Sequence, residues 1–208
     1  MSTHYQTIHG KRVILRPATP GDARLIHEWL FRSDVTPALM GPPLFPERPL
    51  PLPGDVSQNF DPHYFDGSAP ELGRSFLILV DGEPVGQINY NDIAERNGRK
   101  GTELDVWLRS QSVCGKGHGS DAMEALCTYL HDHFGVQEFM VQPSARNPQA
   151  IRAYEKAGFA RLNLPVEQAR ELWGPNDYDD SVYMVKTIEC RSRVAPRGGI
   201  PSRSEGQQ

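Results

Sequence analysis

The 208-residue chain is poor in cysteine, with Cys114, Cys127 and Cys190 set far apart. That spacing excludes a disulfide framework and offers no metal-ligand pattern, as expected for a protein kept in a reducing cytosol and using no metal. Long apolar runs are missing too. No stretch reaches the roughly 18 residues that mark a membrane-spanning helix. The opening "MSTHYQTIHGKRVIL" has no apolar segment of signal-peptide character, so a cytoplasmic protein is expected. Excess basic charge is also lacking: 22 Lys and Arg against 26 Asp and Glu leave a formal charge of −4. A nucleic-acid binder normally carries the opposite footprint, whereas a cationic substrate is compatible with this one. No internal repeats occur.

Glycine and proline are plentiful, 19 and 18 residues, and both are clustered. Half the prolines fall between Thr36 and Gly73, where hydrophobic periodicity fails ("PPLFPERPLPLPGD"). A loop of that length in a compact domain is functional or disordered, and its aromatic residues Phe45, Phe60, Tyr64 and Phe65 favour a packed lid on the substrate side. From Cys190 onward the Arg-rich, Gly/Pro-broken "CRSRVAPRGGIPSRSEGQQ" reads as a disordered tail over residues 190–208. The 38% hydrophobic content supplies a core for a single domain over residues 1–189.

Within that domain strands and helices alternate. "KRVILRP" is the first strand. Thr19 as N-cap, Pro20 at the first helical position and Asp22 as capping-box partner open a helix whose apolar stripe is Leu25, Ile26, Trp29 and Leu30. Asp81-Gly82 joins two strands in a hairpin. In "TELDVWLRS", Leu104, Val106 and Leu108 point to one face, and Glu103, Asp105 and Trp107 to the other. A helix over Ser120 to Phe134 ends at Gly135, "QEFMVQP" is a strand, and a short helix runs from its cap Asn147 and first residue Pro148 to a stop at Gly158. "DSVYMVKTIE" closes the domain as a strand.

The stretch "VCGKGHGSDAMEAL", Val113 to Leu126, sets three glycines in five positions before a helix. Gly is costly to order, so such clustering serves unusual torsions or close approach to a ligand. The spacing is neither a P-loop nor a dinucleotide fingerprint. Two readings remain: a tight strand-to-helix turn, or a loop whose free amides and helix dipole hold a pyrophosphate.

Taken with "PSARNPQAIRAYEKAGF", this stretch resembles the acetyl-coenzyme A signature of the GCN5-related N-acetyltransferases (GNAT), over essentially Lys11 to Ile188. The resemblance implies an α/β (α+β) fold: a central mixed, mostly antiparallel sheet, flanked by helices, with a splayed strand pair that admits the pantetheine arm. It also implies acetyl-coenzyme A as co-substrate. Its pyrophosphate would lie on the loop Val113, Gly115, Lys116, Gly117, His118, Gly119 and Ser120, with Asn147 and Tyr154 flanking it. "GDARLIHEWLFRSDV", "DGEPVG" and "VYMVKT" add a narrower similarity to the aminoglycoside 6′-N-acetyltransferases, which implies Asp105 as the catalytic aspartate.

An ammonium acceptor must lose a proton before attacking a thioester, and a carboxylate within reach accepts it. On residue types alone, Asp105 and Glu103 are two solvated strand carboxylates; under the resemblance Asp105 is base or amine anchor, with Glu103 as its alternative. Tyr154 is either the donor to the departing thiolate or a core residue of its helix. An oxyanion donor is expected from a backbone N–H of the splayed strand. Trp107 and Trp173 wall the acceptor site or pack the core. Asp179, in "NDYDD", lines a pocket for a polycation or belongs to a solvated turn. His131 and His133 face apart, which disfavours a metal pair, and Cys114 reads as an inert thiol. The expected enzyme, monomer or homodimer, acetylates a small-molecule primary amine of aminoglycoside type. Protein N-termini, amino acids or polyamines are alternative acceptors, and an acetyl-coenzyme A-binding sensor is the non-enzyme alternative.

Overall fold

The computed structural model describes residues 6–36, 61–175, 178 and 180–189. The expected loop is therefore seen only at its two ends, and Phe45, Phe60, Asp179 and the tail lie outside the described residues. The short strands β1 (Ile8–His9) and β2 (Ile14–Pro17) form the first hairpin. A 3₁₀ turn, Pro20–Asp22, then leads into α1 (Ala23–Arg32). The turn is capped as expected: the Asp22 carboxylate accepts from the Thr19 amide at 2.8 Å. Arg16 pairs with the same carboxylate at 2.9 Å.

The short helix α2 (His63–Asp66) precedes the strands β3 (Arg74–Val80) and β4 (Glu83–Tyr90). Asp81 and Gly82 join them with φ of 51° and 82°, the left-handed pair that a two-residue hairpin requires. A second such turn, Asn97-Gly98 at 50° and 74°, adds β5 (Ala94–Arg96) to β6 (Arg99–Leu108), which extends the expected strand backward. Next come α3 (His118–Phe134), β7 (Glu138–Val141), α4 (Pro148–Lys156), β8 (Ala160–Arg161), α5 (Val166–Trp173) and β9 (Met184–Thr187).

The strands form one nine-stranded sheet, in the order β1-β2-β3-β4-β6-β7-β9-β8 with β5 beside β6. Every named strand pair is antiparallel except β6–β7. Leu104 shares the main core with Met123, Leu126 and Leu130 of α3 and Ile151 of α4, and Val106 and Leu108 pack against it. Trp107 faces the other way, into a cluster with Ile26 and Trp29 of α1, Phe65 of α2 and Leu77. The period-two alternation of β6 thus sorts its side chains between two layers. Near the far edge, Trp173 of α5 packs with Met140 and Tyr183, and the Arg96 guanidinium lies 4.9 Å over its ring.

Candidate active site

The two central strands part. β6 and β7 pair only at Gly101–Glu138, Thr102–Phe139 and Glu103–Met140. Beyond these, Leu104 to Leu108 pair with β4 alone, while the chain after Val141 turns away through Pro143 and Ser144. A cleft of about 580 Å³ opens at this fork. Its walls include Asp105 and Trp107 of β6, Gly115, Gly117, His118, Gly119 and Ser120 of the glycine loop, and Asn147 and Tyr154 of α4.

The loop is built for exposed amides. Gly117, the N-cap of α3, sits at φ 86° with no side-chain capping bond. The first intrahelical bond runs from the Asp121 amide to Gly117 O at 3.1 Å, so the amides of His118, Gly119 and Ser120 precede the helical ladder. A Cβ on Gly119 would meet nothing within 4 Å. Behind the loop, the Asp121 carboxylate accepts from the amides of Lys11, Arg12 and Val13 at 3.0, 2.6 and 3.0 Å. This holds the β1–β2 turn against the helix, and Arg12 in turn donates to Lys116 O at 3.1 Å. Lys116 faces a second cavity of about 320 Å³ with Lys11, Arg12 and Lys156.

Asp105 is half-buried and lies opposite Asn89 across the β4–β6 pair. Burial raises its carboxyl above the ordinary value, and the Asn89 amide, 3.5 Å from Oδ2, opposes that rise. Tyr64 of α2 donates to Asn91 Oδ1 at 3.0 Å. Its phenol is pushed up to about 12, chiefly by burial and then by the Asp105 charge, so it remains a neutral hydroxyl.

Of the other expected site residues, some line the cleft and some do not. Glu103 points along the fork and accepts from Gln142 Nε2 at 3.1 Å. The Val113 side chain is in the main core, and Trp173 belongs to the third cluster, away from the cleft. Trp107 lines the cleft yet is only 7% exposed. Asn147 uses its side-chain oxygen to cap α4, accepting from Ala150 N at 3.0 Å. Tyr154 is buried in the core beside Phe159, as one of its two readings expected, and also borders the cleft. Asp180, next to the undescribed Asp179, is engaged by Arg146 at 2.7 Å and by Ser144; Arg146 holds its carboxyl below the usual range. Burial pushes the Cys114 thiol up, with Asp34 adding to it, which fits an inert group. His131 and His133 each turn Nδ1 to a backbone carbonyl, at 2.8 and 2.9 Å.

Sequence reasoning missed the amides Gln87 and Asn89 on β4, Asn91 just past it and Gln142 past β7. The signal was present in "GQINYN", where polar side chains recur at period two in a strand with no solvent face.

A sheet forked between parallel strands, with a helix N-terminus at the fork, forms a cleft that sets amides ahead of the helical ladder beside a carboxylate. Known proteins share this arrangement. A family model described as an acetyltransferase (GNAT) domain matches residues 12–160. Aminoglycoside N(6′)-acetyltransferase type 1 of Klebsiella pneumoniae is 30% identical over 190 residues, covering 88% of this chain and 86% of that protein. The ribosomal-protein-serine acetyltransferase of Escherichia coli is 29% identical over 119 residues, 57% of this chain and 63% of its own. Among solved structures, AAC(6′)-Ib in complex with ribostamycin and coenzyme A has a TM-score of 0.64 at 27% identity, covering 85% of this chain and 94% of that one. The chain belongs to the GNAT acetyltransferase family, and its forked sheet agrees with what the sequence resemblance implied.

Proposed function

We propose that the chain transfers the acetyl group of acetyl-coenzyme A to a primary amine of an aminoglycoside, of the 6′-amino type, by direct attack on the thioester. One observation carries this reading: a carboxyl with raised proton affinity shares a single cleft with the unladdered amides of a helix N-terminus. The relative from Klebsiella pneumoniae, an aminoglycoside N(6′)-acetyltransferase, supports the choice of acceptor.

The residues present fit a diphosphate-bearing thioester. Amides of His118, Gly119 and Ser120, at the positive end of the α3 dipole, hold the diphosphate. The open space at Gly119 lets it approach the backbone. Arg12, Lys116 and Lys156 supply positive charge behind it. When bound, the thioester supplies an activated acyl group. Asp105 attracts the ammonium and takes its proton. An incoming ammonium also holds the carboxylate ionised until that transfer. Tyr154, on the cofactor side, protonates the departing thiolate. Holding both reactants in one cleft supplies much of the rate.

A second reading, acetylation of a protein N-terminus, is supported by the similarity to the ribosomal-protein-serine acetyltransferase. Thiol release from acetyl-coenzyme A over an amine panel separates the two. Turnover of kanamycin-type amines is expected, and Asp105→Asn is expected to lower kcat by about 10²–10⁴ while leaving coenzyme A affinity unchanged. Turnover of peptides or polyamines alone overturns the aminoglycoside assignment; tight cofactor binding with no turnover makes the chain a sensor.

A further inference from the structure

A row of buried polar side chains outside the reaction as described so far runs from Ser75 and Gln87 to Asn89 at the cleft wall. Ser75, Gln87 and Asn89 are 0, 0 and 3% exposed, and they share one face of the β3–β4–β6 sheet with Asp105. Gln87 Nε2 donates to Ser75 Oγ at 3.0 Å and to Asn89 Oδ1 at 3.3 Å. Asn89 Nδ2 donates to Asn91 Oδ1 at 3.1 Å and approaches Asp105 Oδ2 at 3.5 Å. Asn91 Oδ1 also accepts from the Tyr64 hydroxyl at 3.0 Å.

With Asp105 ionised, these bonds have only one consistent direction. An ionised carboxylate has acceptors alone. Turning the Asn89 amide over would set its oxygen against both Asn91 Oδ1 and Asp105 Oδ2. It would also set its nitrogen against Gln87 Nε2. Turning Gln87 instead would oppose two amide oxygens. The direction is kept at a cost, since Gln87 Oε1 is buried with no hydrogen-bond partner among the described residues.

We infer that Gln87 and Asn89 are positioning residues that keep an N–H aimed at Asp105, fixing the orientation and proton affinity of that carboxylate. This rests on the reading of Asp105 as the base. The ladder offers amides and a hydroxyl, and adds no formal charge beside Asp105. Glu103 lies two residues away on the same strand, and the Asp105 charge acts on Tyr64 of α2, as do those of Asp92, Asp61 and Glu103. Cys114, His118, Arg152, Tyr154, Lys156 and Tyr178 border the same cleft.

The test compares Asn89→Leu and Gln87→Met with the parent chain in two measurements. The first is kcat/KM against pH with one amine acceptor. The second is an NMR titration of the carboxyl carbons in aspartate-labelled, substrate-free protein, where the resonance absent from Asp105→Asn identifies the group. Loss of the donor destabilises the carboxylate, so Asn89→Leu should move both the acidic limb and the Asp105 midpoint upward by about one pH unit. Gln87→Met frees the Asn89 amide to turn and should move both the same way by less. Residues that merely pack would lower the melting temperature and leave both midpoints in place, which overturns the inference. If Asn89→Leu does not fold, Gln87→Met is judged by the same criterion. If Asp105→Asn keeps parental kcat, the base assignment falls, and the NMR midpoints still decide the ladder.

Discussion

Asp105 faces opposed demands. Burial makes its carboxylate a better proton acceptor and a poorer contributor to folding, because the ionised form is disfavoured inside. Between the ordinary carboxylate range and the raised folded value, the native chain binds a proton that the unfolded chain has released. Stability therefore falls as pH rises through that window and stays lower above it. Asp105→Asn removes this titration. The variant should match the parent near pH 4 and exceed it in urea-unfolding free energy at pH 7–8, the gap opening across the window. A difference independent of pH would contradict the raised carboxyl. A variant that is more stable and inactive is the usual signature of a strained functional group.

At the scale of elements, the turn from the glycine loop into α3 does two jobs with neighbouring residues. Asp121 ties down the β1–β2 hairpin, while the preceding amides stay open. Gly119 separates the two jobs experimentally. Its Cβ position is empty and the residue is helical, so Gly119→Val should change folding stability by no more than about 1 kcal/mol. Coenzyme A affinity, measured by calorimetry, should fall about ten-fold or more; an unchanged Kd removes the loop from binding. Most elements that frame this turn were legible in sequence because each carries local chemistry: Pro20 and Asp22 at the head of α1, Asp81-Gly82 in the hairpin, Asn147 and Gly158 around α4. The elements β1, β5, β8 and α5 were not singled out. The first three are only 2, 3 and 2 residues long, and α5 follows Pro165 without a side-chain capping bond to announce it. Asp105 and the glycines, singled out by residue type, do line one cleft. The turn of Glu103 toward Gln142 was not legible, since it depends on where β7 stops.

For the whole molecule, charge of one sign should govern the two ligands differently. The chain carries a formal −4, the glycine loop is backed by Lys116, Arg12 and Lys156, and the acceptor side presents Asp105. Attraction of a polycationic acceptor is long-ranged and screened by salt. Its kcat/KM should fall about three- to ten-fold between roughly 10 and 300 mM salt, while a singly charged amine should lose far less. Equal losses would show that steering plays no part. Among the described residues no helix is long and apolar enough to cross a membrane.

The fork in the sheet also has a mechanical meaning. Among the described residues, three residue pairs make up the strand ladder between strands β1–β6 and strands β7–β9. Past that ladder, under the proposed function, a long thin molecule laid in the gap would take the place of the missing strand and touch both halves at once. Such an occupant would act as a keystone: only while the reaction is under way would it add contact between two halves that already share the main core.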